Sequence, residues 1–235
     1  MKVYKVKHHE ILNEMAADIF SAQILQKPAS VLGLATGSTP LGLYEKLVQR
    51  YQQGTVDFRH VTTFNLDEYC DLPQDHPQSY FTFMQQNLFS KINLPAENIN
   101  IPNGMAASIP AECQRYENSI SQSGGIDLQL LGIGDNGHIG FNEPNAVFVN
   151  QTHQEKLKER TRQANQRFFA SIGDVPQYAV SMGVGTIMRA QKILLLGFES
   201  KQEIIEKAIR GEIDPQLPAS ILKAHADVTI IYVGA

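Results

Sequence analysis

The residues best suited to chemistry lie in one glycine-rich stretch, Gly132-Ile133-Gly134-Asp135-Asn136-Gly137-His138-Ile139-Gly140-Phe141-Asn142-Glu143-Pro144. It sets an imidazole and a carboxylate five residues apart. An imidazole beside an acid suits proton transfer at neutral pH. A lone His is more often structural, but this setting favours catalysis. The glycines are expected to hold a tight, irregular loop in which Asn136, His138 and Glu143 converge. The stretch also contains G-x-G-x-x-G after an apolar run, the spacing of a dinucleotide fingerprint. That fingerprint needs a helix to begin inside the glycines. Gly140, Asn142 and Pro144 oppose a regular helix there, and Glu155, where a ribose-binding acid would fall, follows no strand. A nicotinamide or flavin dinucleotide is therefore not expected.

A second candidate is Phe64-Asn65-Leu66-Asp67-Glu68-Tyr69. Adjacent side chains on an extended chain point to opposite faces. One carboxylate would then face a cleft, and Asp67 is the choice. In a partly apolar site it could act as a general base with a raised pKa. A surface Asp-Glu pair in a loop fits these residues equally well.

Charge recognition has three candidate sources. Ala35-Thr36-Gly37-Ser38-Thr39-Pro40 is a Gly/Ser/Thr turn opening a helix, with Pro40 expected at the first helical position. Free N–H groups and the helix dipole make such a turn an anion site, with Gly37, Ser38 and Thr39 as ligands. It is no Walker loop, because the lysine of that motif is missing. A plain capped turn is the simpler reading. Lys201 follows Gly197-Phe198-Glu199-Ser200, where Ser200 and Glu203 are expected to form a capping box. A cation in a first helical turn is disfavoured unless an anion binds beside it; otherwise it points to solvent. Arg167, in Asn165-Gln166-Arg167-Phe168-Phe169, is either a phosphate ligand or a snorkelling surface arginine.

These segments need a scaffold. Apolar runs at residues 30–34, 60–64, 126–131, 192–196 and 228–233 read as strands covered on both faces. Helical periodicity marks residues 9–26, the stretch after Pro40, and residues 79–89, 111–120 and 201–209. The alternation predicts an α/β fold: a three-layer, mostly parallel open sheet with helices on both faces, Rossmann-like, one domain over residues 1–235. Four of the five strands lead into a candidate segment, as expected for ligands bound beyond the carboxyl ends of an open sheet. Residues 145–162 are polar, rich in lysine and weak in strand or helix signals. They read as a long loop, either an active-site lid or a solvated connection.

Composition narrows the function classes. Of the 235 residues, 43% are hydrophobic and 19% charged, ordinary values for a globular chain. The formal net charge is -4 and no Lys/Arg run stands out. A nucleic-acid-binding surface is therefore not expected. Cys70 and Cys113 form neither a CxxC pair nor a Cys/His cluster, so no metal site is expected. Two scattered thiols fit a reducing compartment. The start MKVYKVKHHEIL lacks the apolar core of a signal peptide, and no stretch suits a membrane span. A cytoplasmic protein without membrane partners is the expectation.

At these same residues the sequence resembles the glucosamine-6-phosphate deaminase family. The resemblance rests on LATGSTP, FNLDEY with HPQSY behind it, GIGDNGHIGFNEP, NQRFF, and MGVGTIMRAQKILLLG followed by Lys201. It implies conversion of glucosamine 6-phosphate and water to fructose 6-phosphate and ammonia, with no cofactor. Carried over by motif, Asp67 would move the proton between C2 and C1. His138 would open the ring, supported by Glu143 and Asn136. Gly37, Ser38, Thr39, Arg167 and Lys201 would hold the phosphate. The lid read from the polar stretch, if it is one, would lie at about 145–170. Many members of the family carry Asp where Asn136 stands; here the acid is displaced to Asp135. Larger, allosteric members use basic residues after the NEP motif, where this chain has His153 and Glu155. A monomer or small homo-oligomer without that activator site is expected. The alternatives are a 6-phosphogluconolactonase-like hydrolase and a non-catalytic sugar-phosphate sensor.

Overall fold

The apolar runs pair into one parallel sheet. A computed structural model describes residues 1–166, 169 and 171–234. The strands of the sheet are β1 (Lys2–Val6), β2 (Val31–Leu34), β3 (Thr62–Asn65), β5 (Ile99–Asn100), β6 (Leu128–Leu131), β9 (Lys192–Gly197) and β10 (Val228–Val233). Their order is β1-β10-β9-β6-β2-β3-β5. β2 and β6 are buried along their whole length, which is why they read as continuous apolar runs. β1 is the exposed edge strand. Lys2 and Lys5 break its apolar residues into short pieces, so it escaped the apolar-run criterion.

The helices are α1 (His9–Gln26), α2 (Leu41–Gln52), α3 (Tyr80–Asn87), α4 (Ile109–Gln122), α5 (Glu159–Asn165), α6 (Val184–Met188) and α7 (Gln202–Arg210). From β1 through β2 and β3 to β5 the connections run toward one edge of the sheet. From β6 through β9 to β10 they run toward the other. Right-handed crossovers then place α1, α2 and α3 on one face and α4, α6 and α7 on the opposite face. α2 packs against both α1 and α3. This is the three-layer, Rossmann-like α/β architecture within a single domain. The direction of winding reverses between β2 and β6, so a crevice is expected beyond their carboxyl ends.

A small antiparallel sheet joins the core, with β4 (Asp67–Tyr69), β7 (His153–Lys156) and β8 (Tyr178–Ser181) in the order β4-β8-β7. Leu66 is the junction. Its amide donates to Leu34 O in the large sheet at 2.9 Å, and its carbonyl accepts from Met182 N at 2.7 Å. The chain thus changes sheets immediately before Asp67.

Several sequence expectations are corrected. Residues 145–162 are no long loop, because β7 and the start of α5 lie within them. β7 alternates between partly buried and exposed residues, but polar side chains on both faces hide the strand period. Pro40 is the N-cap of α2, one position earlier than expected, and neither Ser38 nor Thr39 caps that helix. The Ser200/Glu203 capping box does not form: residues Glu199–Lys201 make a 3-10 turn, and α7 begins at Gln202 without a side-chain cap.

Candidate active site

A cleft of about 230 Å³ opens beyond the carboxyl ends of β2 and β6. It is lined by Gly37, Ser38 and Thr39 after β2, by Asp67, and by the loop from Gly132 through Asn136 and His138 after β6. Lys201 closes one side. The structure thus brings together the sequence candidates except Glu143, which stands one bond behind the wall, and Arg167, which lies outside the described residues.

Two acids in a row are separated by their surroundings. Glu68 turns away from the cleft and accepts the backbone N–H groups of Tyr69, Tyr80 and Phe81 at 2.9, 2.9 and 3.0 Å. It thereby satisfies free amides at the start of α3, where Ser79 also caps by accepting from Thr82 N at 3.0 Å. Asp67 faces the cleft and is only 6% exposed. Burial, and then the Glu68 carboxylate, push its carboxyl up to about 8. Tyr80 and Phe141 stack at an interplanar angle of 10° and give the cleft an apolar wall.

The glycine-rich loop forms a relay. Asn136 Nδ2 donates to Glu143 Oε2 at 2.7 Å, and Asn136 Oδ1 lies 2.7 Å from His138 Nδ1. The same oxygen accepts the His138 backbone N–H at 3.2 Å. A carboxylate needs a donor and a backbone amide needs an acceptor, so the Asn136 amide has one orientation. In that orientation His138 Nδ1 carries a proton, and the neutral ring keeps its Nε2 lone pair free. Burial holds the imidazole below its ordinary range; Glu143 opposes this and Lys201 adds to it. Gly134 is required by contact, since a Cβ there would sit 2.1 Å from His138 Cε1. Gly37 is required by its backbone, at φ +94°.

Lys201 Nζ is bonded to Asp135 Oδ1. That bond to the ammonium, against the effect of burial, holds the Asp135 carboxyl below the usual carboxylate range. Asp135 is bonded to the cation on the cleft wall and reaches His138 only through its charge, which favours the protonated imidazole. Sequence reasoning missed Arg160, Thr161 and Asn165, which line the cleft from α5. The polar run that hid this helix also hid them. Among the described residues no group of three His, Cys, Asp or Glu side chains is placed to hold a metal ion. Nor is any helix long and apolar enough to cross a membrane.

The family described as glucosamine-6-phosphate isomerases/6-phosphogluconolactonase matches residues 7–231. The chain belongs to this family. Within the isomerase/lactonase family, a glucosamine-6-phosphate deaminase of Thermoanaerobacter pseudethanolicus is 51% identical over 232 residues, covering 98% of this chain and 92% of that protein. A glucosamine-6-phosphate deaminase of Clostridium botulinum is 50% identical, covering 98% and 95%. The solved structure of a monomeric glucosamine-6-phosphate deaminase matches with a TM-score of 0.97 at 46% identity, over 99% of this chain and 97% of that one. A 6-phosphogluconolactonase from Thermotoga maritima matches with a TM-score of 0.76 at 21% identity, over 100% of this chain and 99% of that one. That second likeness concerns the fold alone.

Proposed function

We propose that this chain converts glucosamine 6-phosphate and water to fructose 6-phosphate and ammonia. The observation that carries the reading is a buried carboxyl, Asp67, facing the same cleft as an imidazole whose tautomer is set by Asn136 and Glu143.

The phosphate docks where Gly37, Ser38 and Thr39 meet Lys201, with Arg167 added by its motif. Nε2 of His138 takes the proton of the anomeric hydroxyl and returns it to the ring oxygen, which opens the ring. Ionised Asp67 then removes the C2 proton while the substrate's ammonium gives a proton to the C1 oxygen, which forms an enol-amine, and Asp67 delivers the C2 proton to C1. The nitrogen is left as an imine at C2; water adds there and ammonia departs. Each step moves a proton or a water, so the chemistry draws on positioned acid and base groups. The α5 segment, within residues 145–170, acts as a lid that keeps water from the enol-type intermediate. The protein works in the cytoplasm, in amino-sugar breakdown.

The test supplies glucosamine 6-phosphate to purified protein, with and without EDTA, and follows ammonia and fructose 6-phosphate together. Equal amounts of both products, unchanged by EDTA, are expected. Acid release from 6-phosphogluconolactone without ammonia from the amino sugar would transfer the chain to the lactonase reading. Binding of the sugar phosphate without turnover of either compound would favour the sensor.

The Lys201–Asp135 pair competes with the phosphate for the ammonium. Asp135→Asn is expected to lower KM roughly two- to fivefold, the scale of a partly exposed ion pair, with kcat little changed. Steady-state kinetics at low ionic strength decide it, and an unchanged KM would leave Asp135 without this role.

At the positions where allosteric relatives hold basic residues, His153 Nε2 stands 3.1 Å from Glu155 Oε2. A carboxylate there repels a second sugar phosphate. Rate against substrate concentration is therefore expected to be hyperbolic and indifferent to N-acetylglucosamine 6-phosphate. Sigmoidal curves that this compound straightens would overturn that expectation.

A further inference from the structure

We infer that Thr161 is a positioning residue of the proton relay: its hydroxyl fixes the Glu143 carboxylate so that Asn136 and His138 stay in line. This rests on the deaminase reading and extends it to a residue of α5.

Glu143 is 5% exposed and Thr161 is 7% exposed. Oε2 of Glu143 accepts from Asn136, and Oε1 accepts the hydroxyl of Thr161. Each carboxylate oxygen thus has a donor, one from the loop after β6 and one from a helix 18 residues further along the chain. The terminal torsion of a glutamate is broad and roughly two-fold. One donor alone would leave the carboxylate plane free to turn about that axis. Donors on both oxygens pin the plane, and the pinned plane orients the Asn136 amide. Through that amide it selects the His138 tautomer with Nε2 free. A buried carboxylate also needs its remaining lone pairs met. Thr161 lies in the same helix as the cleft-lining Arg160 and Asn165. The relay's outermost member is therefore supplied by α5, and the geometry of ring opening depends on where that helix sits.

Thr161→Val keeps the branched shape and deletes the hydroxyl. Loss of one hydrogen bond to a charged group that orients the relay is expected to lower kcat roughly tenfold, with KM within about twofold of the starting value. Thr161→Ser restores the donor and is expected to recover most of kcat. On a Glu143→Gln background, assayed at high enzyme concentration, Thr161→Val is expected to change kcat by less than about twofold, because the two residues act as one unit. An unaltered kcat in the valine variant overturns the inference, and so does a tenfold loss that persists in the Gln background or that serine fails to recover. Thermal melts accompany each variant; should valine unfold the chain, Thr161→Ala carries the same comparisons. The unsubstituted protein is assayed first. If it releases no ammonia, the deaminase reading falls and this inference with it. If it is active and the valine variant matches it, the role of Thr161 alone is overturned.

Discussion

Asp67→Asn is expected to remove turnover and, at the same time, to make the protein harder to unfold. Loss of a positioned general base lowers rates on the order of 10²–10⁴-fold, and asparagine cannot take the C2 proton. Substrate binding should survive, because the proposed phosphate site is built from other residues. Stability follows from linkage. Unfolded, this carboxyl ionises near 3.8, as an ordinary aspartate does, whereas folded it holds its proton up to about 8. Between these values the folded state binds a proton that the unfolded state does not. The group's contribution is therefore complete below pH ~4 and is lost as the pH rises toward 8. At about 1.4 kcal/mol per pKa unit, a few kcal/mol are at stake at the upper end. Asparagine stays neutral and escapes that loss. The variant should melt at the parent's temperature near pH 4 and clearly above it at pH 8. The parent's kcat/KM should rise with pH through about 8 as the base ionises. A variant within tenfold of the parent rate sinks the base assignment. One that melts below its parent at pH 8 sinks the account of its burial.

Asn136→Leu is the second large effect. It strips a donor from Glu143 Oε2 and an acceptor from both the ring and the backbone nitrogen of His138. The imidazole can then settle with its proton on Nε2, where it cannot accept one from the sugar. A fall in kcat on the order of 10²–10³ is expected, the scale of losing a general acid-base group's orientation. Nitrogen NMR of the imidazole checks the cause: the parent should carry its proton on Nδ1, and the leucine variant a mixture. Near-parent rates in the leucine variant would remove the amide from the relay.

Much of the fold was legible because burial on both faces writes strands as uninterrupted apolar runs. β2, β6, β9 and β10 follow that rule, and the helix expected at residues 9–26 coincides with α1. The small sheet was not legible. β7 consists of His153, Gln154, Glu155 and Lys156, so its partly buried face is written in polar letters. β4 is too short to carry a period, and its pairing with β8 spans more than a hundred residues. The site divided in the same way. The His138 loop stood out because it sets an imidazole and an acid among glycines, whereas Asp67 was a candidate only by its place after a strand. Thr161 did not, since a threonine in a polar helix announces nothing until the carboxylate it meets is seen. The displaced acid, Asp135, is bonded to Lys201, a pairing that only the three-dimensional arrangement shows. The Ser200/Glu203 pattern failed because a cap depends on where a helix begins, and a 3-10 turn moved that point.

The junction at Leu66 bears on protein engineering. One residue bonds to two sheets, and the reactive carboxyl is the next residue along. Its position is the intersection of two scaffolds, so it cannot be copied as a short peptide. Grafting FNLDEY into another parallel sheet would carry the letters and lose the coordinates, unless a strand equivalent to β8 came with it. The smallest transplantable unit of this chemistry is a crossing of strands, and designers seeking new sugar-phosphate catalysts would begin from that crossing.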